Sequence, residues 1–206
     1  SGVPGIFSAG ADLKERARMT HDEAELFVER LRSLMSAVAG IPAPTIAAAD
    51  GAAYGGGLEL MLACDLRVAG AGAIMGLTET SLGIIPGAGG TQRLPRLIGA
   101  SAAKELIFTA RTVSAERALE LGMVGTVVAA GMAEKEALLM AGNIARRGPV
   151  AVRAAKKAID RGLQVCVASE GMAFEREMYA RVLGTKDRDE GLLAFKEKRP
   201  PSFTGK

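Results

Sequence analysis

Glu59 and Glu79 stand twenty residues apart, each beside a glycine-rich turn. Glu59 follows Gly55-Gly56-Gly57 by one helical turn, and Glu79 sits in Thr78-Glu79-Thr80 ahead of the glycine-rich run Gly83–Gly90. Two carboxylates beside exposed backbone N–H groups are what reversible addition of water to an activated double bond requires. One carboxylate handles the water, the other handles the carbon-bound proton, and the N–H groups hold an enolate oxygen.

Each part also has a plainer reading. Three glycines ahead of a helix leave its first N–H groups free and let a ligand approach, with the helix dipole adding partial positive charge. The same run suits a tight strand-to-helix turn. Glu59 is embedded in Leu58-Glu59-Leu60-Met61-Leu62. A carboxylate in so apolar a run either points into a polar pocket or stands on an exposed edge. Its burial without partners is costly, which makes it a candidate acid–base group. The Thr-Glu-Thr setting of Glu79 is also compatible with an ordinary loop. His21 is the only histidine and lies in a capping box with no Ser or Cys nucleophile pattern nearby, which argues against a triad. With one His and two isolated Cys there is no metal-ligand spacing, so no metal is expected.

The chain has 206 residues, enough for one domain with a sizeable core. Apolar residues make up 49% and charged residues 24%, an ordinary balance for a soluble globular protein. Glycine is abundant at 26 residues, whereas aromatics are 4% with no Trp, which favours close backbone approaches over recognition by stacked aromatics. Cys64 and Cys166 lie far apart in apolar contexts and read as buried thiols, fitting a reducing compartment rather than a disulfide-stapled secreted domain. A bacterial cytoplasm and a mitochondrial matrix both satisfy this. The net charge of +3, from 26 basic and 23 acidic residues, is too small to argue for nucleic acid. No apolar run is long enough to span a bilayer, and nothing reads as a signal peptide. The first residue is not Met, and Gly5-Ile6-Phe7 looks like the end of a buried strand, so further N-terminal sequence is expected.

The elements that must position the two glutamates can be read along the chain. Ala9–Leu13 is a small-residue turn. Thr20-His21-Asp22-Glu23 is a capping box, and Phe27, Leu31, Leu34 and Val38 after it place one helix face in the core. Pro42 and Pro44 end that helix. Thr45–Ala49 reads as a short buried strand, Gly51–Gly57 as a turn into a helix starting near Leu58, and Leu66–Ala69 and Ala73–Gly76 as strands. Pro86–Thr91 is a loop, from which Arg93–Ile98 opens onto a helix continuing through Ala102–Thr109. Ser114 and Gly122 bracket a helix over Ala115–Leu121, Val124–Val128 reads as a strand, and Pro149 and Gly162 bracket a basic helix, Val150–Arg161. Thr185 caps a last helix stopping before Arg199-Pro200-Pro201. Strands and helices alternate in the first half and helices dominate the second. One domain, with a core over about residues 1–140 and a helical C-terminal region over about 141–206, is the simplest reading.

Taken together, these motifs resemble the crotonase (enoyl-CoA hydratase) superfamily over nearly the whole chain. They are Ser8–Lys14, Asp50-Gly51, Gly55-Gly56-Gly57-Leu58-Glu59, Ala63-Cys64-Asp65, Glu79 with Gly83, Pro86–Leu94, and Glu190-Gly191 with Phe195 and Lys198. The resemblance implies an α/β fold: a spiral of ββα units with a helical C-terminal trimerisation region, whose usual N-terminal strands are not in this chain. It also implies that the N–H groups of Ala11 and Gly56 form an oxyanion hole for the thioester carbonyl of a 2-enoyl-CoA. Glu59 would activate water and Glu79 would exchange the proton at Cα. Ala9, Asp12, Leu13, Lys14 and Gly57 would contact the acyl-CoA, with Phe195 and Lys198 reaching the coenzyme from a neighbouring subunit. Taken alone, Phe195 reads as core and Lys198 as a solvated charge. Coenzyme A enters as part of the substrate, with no tightly bound cofactor, and the assembly would be a homo-trimer or a dimer of trimers. Isomerases and dehalogenases of the superfamily commonly lack one glutamate, so the intact pair favours hydration.

Within the superfamily, Gly5-Ile6-Phe7, Ala11–Arg16, Ala103–Phe108 and Leu192–Pro201 resemble the methylglutaconyl-CoA hydratase group, which includes a hydratase that also binds AU-rich RNA. Tyr54 departs from the small or aliphatic residue usual there; it either packs away from the site, the favoured reading, or narrows the acyl pocket or places a hydroxyl in it. Lys14, Arg16 and Arg18 correspond to the RNA-contacting helix of that relative. Arg16 and Arg18, two apart, do not share a helix face, so they read as solvated charges. The basic residues Arg146, Arg147, Arg153, Lys156, Lys157 and Arg161 read as a solvated face, with coenzyme or RNA phosphates as the alternative partners. The alternatives to a hydratase are an AU-rich-RNA-binding protein with residual hydratase activity and an enoyl-CoA isomerase.

Overall fold

The computed structural model describes residues 3–165 and 167–206. Cys166, expected as a buried thiol, lies outside them. In chain order the elements are β1 (Ile6–Ser8), α1 (Leu13–Arg16), α2 (His21–Ala39), β2 (Ile46–Ala49), β3 (Ala52–Tyr54), α3 (Gly56–Ala63), β4 (Leu66–Gly70) and β5 (Ile74–Gly76). A 3-10 turn over Glu79–Leu82 leads to α4 (Gly90–Ile98), α5 (Ala100–Phe108), β6 (Val113–Ser114), α6 (Ala115–Glu120) and β7 (Thr126–Val128). The helices α7 (Ala133–Ala145), α8 (Pro149–Gly162), α9 (Ala168–Leu183) and α10 (Lys186–Glu197) complete the chain.

The chain divides into two compact units. One comprises Thr45–Leu138 with the N-terminal segment up to Ile41, and the other comprises Leu139–Lys206 with Pro42–Pro44. In the first unit β1 to β5 go alternately to two sheets, β6 stays beside β5 and β7 returns to the other sheet. β1, β3, β5 and β6 form one, with the first three parallel and β6 antiparallel to β5. β2, β4 and β7 form the other, all parallel. Parallel neighbours cannot be joined by hairpins, so each return to a sheet needs a crossover. Helices α3 to α6 occupy these crossovers and give the ββα spiral that the motifs imply.

Short alanine-rich strands leave room for bulky helix side chains. Ala49, Ala53 and Ala69 are fully buried beside Leu58, Met61, Met75, Leu77 and Leu94. Thr20 caps α2 as expected: its hydroxyl accepts the Glu23 N–H, and the Glu23 carboxylate accepts the Thr20 N–H at 2.8 Å. Ser114 and Thr185 likewise cap α6 and α10.

Several expectations need correction. Gly51–Gly57 is not one turn, because Ala52–Tyr54 pairs with β1 and β5 as β3. Main-chain pairing overrides the high turn propensity of the flanking glycines. On α2 the inward residue is Met35, while Leu34 is 52% exposed. Leu31, Met35 and Val38 share the i, i+4, i+7 stripe that packs on Ala63 and Ala88. Gly99, at φ +82, breaks the helix expected over Arg93–Thr109 into α4 and α5. β1 is half-exposed rather than buried, and Cys64 is half-buried against the core edge.

In the second unit, α8 packs on α9. The chain after α10 folds back onto that helix. The buried carboxylate of Asp187 accepts the N–H groups of Thr204 at 2.6 Å and Gly205 at 2.9 Å. Arg199 forks onto Glu190 at 2.7 and 2.9 Å, and the Ser202 N–H joins it at 2.7 Å. Arg199 and that N–H hold the Glu190 carboxyl down to about 2. Among the described residues no helix is long and apolar enough to cross a membrane.

Candidate active site

The site begins with a close backbone approach. Gly57, in the first turn of α3, packs so tightly on the end of β1 that a Cβ there would overlap the Ser8 carbonyl group. This brings the loop after β1 against the N-terminus of α3. Within that loop Gly10 takes φ +82, where side-chain-bearing residues are rare, and a Cβ on it would stand 3.1 Å from the Gly56 nitrogen. A Cβ on Gly56 would in turn lie 3.6 Å from Gly10 Cα and 4.0 Å from the Ala11 nitrogen. The N–H groups of Ala11 and Gly56 therefore come from two adjoining turns. Neither donates a hydrogen bond among the described residues, and Gly56 opens a helix, where N–H groups have no intrahelical acceptor.

The other loop residues implied by the resemblance lie alongside. Ala9, Asp12, Leu13 and Lys14 are exposed. The Asp12 carboxylate caps α1 by accepting the Lys14 N–H at 2.8 Å, which fixes the exit of the loop. Phe195 and Lys198 belong to the second unit. Phe195 is 87% exposed, not core, so an aromatic ring stands in solvent at the end of α10. Lys198 is exposed and closes that helix in the left-handed conformation, φ +55.

Glu59 is 2% exposed, one turn into α3. Its Oε1 accepts the N–H groups of Ala88 and Gly90, both at 2.8 Å. The loop Pro86–Thr91, which joins the 3-10 turn to α4, is thus the polar pocket that the apolar run around Glu59 demanded. Both donors go to one oxygen, which fixes the carboxylate plane and leaves Oε2 for another partner. Arg93, half-buried on α4, feels the Glu59 charge and donates to the Ala88 carbonyl at 3.0 Å.

Glu79 opens the 3-10 turn. A Cβ on Gly55 would lie 3.1 Å from its Oε1, so the carboxyl sits against the turn that presents Gly56. Its Oε2 is buried and has no hydrogen-bond partner among the described residues. Burial, offset in part by its own backbone N–H, and then the nearby negative charge of Glu59, push the Glu79 carboxyl above the ordinary carboxylate range. A carboxyl with raised proton affinity and an unpartnered oxygen, next to a carboxylate pinned through one oxygen, is the asymmetry that acid–base division of labour requires.

Arg16 corrects an expectation. Its guanidinium lies 5.7 Å from the centroid of the Phe27 ring and its charge acts on Glu79, so it is engaged within the unit rather than solvated. Spacing along α1 carries no sign of this, because Phe27 and Glu79 reach it from other elements. Arg32 and Arg93 are further residues that sequence reasoning does not single out, although Arg93 lies inside one of its motifs. Among the described residues no cluster of His, Cys, Asp and Glu is arranged to hold a metal ion.

Comparison with known proteins shows the family of the chain. The family model described as enoyl-CoA hydratase/isomerase matches residues 1–206. The mouse protein named "Enoyl-CoA hydratase domain-containing protein 2, mitochondrial" is 56% identical over all of this chain and 71% of its own length. Human "Methylglutaconyl-CoA hydratase, mitochondrial" is 54% identical over all of this chain and 61% of its own length. The crystal structure of an enoyl-CoA hydratase from Bacillus anthracis superposes with a TM-score of 0.93 at 54% identity, covering 96% of this chain and 76% of that one. Two carboxylates on glycine-rich turns, the two-sheet spiral that carries them and these likenesses all lead to one conclusion: the chain belongs to the enoyl-CoA hydratase/isomerase family of the crotonase superfamily.

Proposed function

We propose that the protein is a hydro-lyase that adds water across the double bond of a 2-enoyl-CoA thioester. The observation that carries this reading is the convergence of Glu59 and Glu79 on the turns that present the unengaged N–H groups of Ala11 and Gly56. In this reading the thioester oxygen accepts those two N–H groups, which draws π electrons away from Cβ. Water, oriented on Oε2 of Glu59, attacks Cβ and gives that carboxylate a proton. The negative charge gathers on the enolate oxygen at the two N–H groups. The enolate then collapses and Cα takes the proton of Glu79. Afterwards Glu79 is the anion and Glu59 the acid, and exchange with solvent restores both. The raised affinity of Glu79 for a proton supports the donor role.

The acyl group we favour is branched and acidic, as in 3-methylglutaconyl-CoA. Support comes from the motifs shared with that hydratase group and from the 54% identity to its human member. Oligomerisation as a trimer or dimer of trimers, with Phe195 and Lys198 meeting the coenzyme of a neighbouring subunit, belongs to the same proposal. The exposure of Phe195 supports it. Replacing Glu59 or Glu79 by Gln lowers kcat for hydration by about 10²–10⁴-fold with the fold retained. Near-normal turnover in both variants refutes the assignment. Hydration of 3-methylglutaconyl-CoA is compared with that of crotonyl-CoA. A preference for crotonyl-CoA rejects the branched substrate, and double-bond migration without incorporation of water makes the protein an isomerase.

A further inference from the structure

The Gly87–Gly90 loop raises a question that the two glutamates alone leave open: what holds it in place? Its peptides alternate. The first, Gly87–Ala88, points its N–H at Glu59 Oε1, 2.8 Å away, and its carbonyl at Arg32, whose Nε donates at 3.2 Å. The middle peptide, Ala88–Gly89, turns its carbonyl to Arg93 Nη1 at 3.0 Å. The third, Gly89–Gly90, points its N–H at the same Oε1 at 2.8 Å, and its carbonyl accepts the N–H groups of Gln92 at 3.0 Å and Arg93 at 2.8 Å. All three carbonyls are therefore held, two of them by arginines from different helices, and both N–H groups on Glu59 belong to peptides gripped at their carbonyl ends.

Packing of Ala88 against Met35 and Ala63 seats the loop, but it does not set the orientation of the peptides on either side. Gly89 takes φ +110 and a Cβ there would overlap the Arg93 guanidinium, so the backbone has been shaped around that side chain. A glycine-rich loop with free φ and ψ has many alternatives, and hydrogen bonds from charged donors are the stronger kind. We propose that Arg93, assisted by Arg32, is a positioning residue for the reaction, clamping the Gly87–Gly90 loop so that its two N–H groups aim the Glu59 carboxylate. This rests on the hydratase reading above. Neither arginine is assigned a contact with substrate. Each acts through a peptide: Arg32 grips the one whose N–H, that of Ala88, reaches Glu59, and Arg93 grips the one between the two donors, fixing their relative orientation.

The test is a pair of double-mutant cycles on the full chain, with Arg93→Gln, Glu59→Gln and the two together. Turnover of crotonyl-CoA and urea unfolding are measured for each. A displacement of the carboxylate by about 1 Å costs about 10²-fold, so Arg93→Gln lowers kcat by about that factor while KM changes less than threefold. In the Glu59→Gln background the same substitution lowers the residual kcat by less than threefold, because the group it aims is gone. Arg93→Lys, which keeps a cationic donor without the planar fork, recovers part of the loss. Arg32→Gln, removing an exposed contact, gives a smaller loss in the same direction. The proposal is overturned if Arg93→Gln keeps wild-type kcat, or if its loss is as large without Glu59 as with it. The unfolding cycle reads the coupling between Arg93 and Glu59 whether or not crotonyl-CoA is turned over. An inactive wild type with non-additive unfolding refutes the hydratase reading and retains the clamp. Additive unfolding with an active wild type refutes the clamp alone.

Discussion

Gly57→Ala tests whether the spacing of the two N–H donors matters. In the native chain the position of a Gly57 Cβ would be 2.7 Å from the Ser8 carbonyl carbon and 2.8 Å from Ser8 Cβ, where ordinary contact begins at 3.4 Å. These are backbone and near-backbone atoms that no rotamer change can remove. β1 or the start of α3 must therefore retreat by at least about 0.7 Å, the difference between those distances. Ala11 lies three residues beyond Ser8 and Gly56 one before Gly57, so the retreat opens the gap between their N–H groups. Overpacking of this kind costs about 1–3 kcal/mol, or about 2–4 °C in Tm per kcal/mol for a domain of this size. Misplacement of donors on the scale of an ångström costs about 10²-fold in rate. The assay is kcat/KM for crotonyl-CoA hydration, with Tm followed in parallel. Gly142→Ala is the control, because it lies in α7 with nothing within 4 Å of its Cβ position. That change leaves activity intact and raises stability by about 0.5–1 kcal/mol. If Gly57→Ala is as active as the Gly142→Ala control, the donors need not sit where this geometry puts them, and the oxyanion argument fails.

Three further outcomes are expected. Glu79 binds its proton more tightly when folded than when unfolded. Its contribution to stability is complete below the ordinary carboxylate range and is lost as pH rises through the raised folded value. Glu79→Gln, neutral throughout, is therefore more stable than the parent at neutral pH and matches it in acid. Urea titrations at both pH values check this, and equal stability at neutral pH would mean that burial does not disfavour the Glu79 charge. Hydration also falls as pH rises through the same ionisation, since the donor at Cα is then lost. In the second unit, Asp187→Ala strips the acceptor from the Thr204 and Gly205 N–H groups. It destabilises that unit by about 1–3 kcal/mol, and hydrogen exchange reads the loss as faster exchange at residues 204 and 205.

Periodicity and end signals carry most of the secondary structure. The capping box at Thr20, Ser114 before α6 and Thr185 before α10 act locally, through bonds spanning three residues, and Pro149 opens α8 through its fixed φ. A short window of sequence contains everything such a cap needs. α7 is not legible in this way because the carboxylate that accepts its first N–H, at Ala133, is that of Asp50, 83 residues away, and α9 because its N-cap is Val167, without a side-chain bond. β3 escapes a sequence reading because a strand of three residues between glycines has no alternation to display, and only its neighbours β1 and β5 define it.

The site divides along the same line. Residue types and spacing single out the two glutamates and the glycine turns, since an acid in an apolar helix must find a partner wherever the chain goes. The sequence alone does not say which groups meet it. Ala88 and Gly90 are 29 and 31 residues from Glu59, and Arg32 reaches Gly87 across 55. Ion–aromatic and ion–ion proximity, as between Arg16, Phe27 and Glu79, depends on how helices pack and leaves no periodic trace. The different environments of the two carboxyls are likewise tertiary. One is pinned by two N–H groups and the other is buried with an unpartnered oxygen, because desolvation and hydrogen bonding are properties of the folded surroundings and not of the residue.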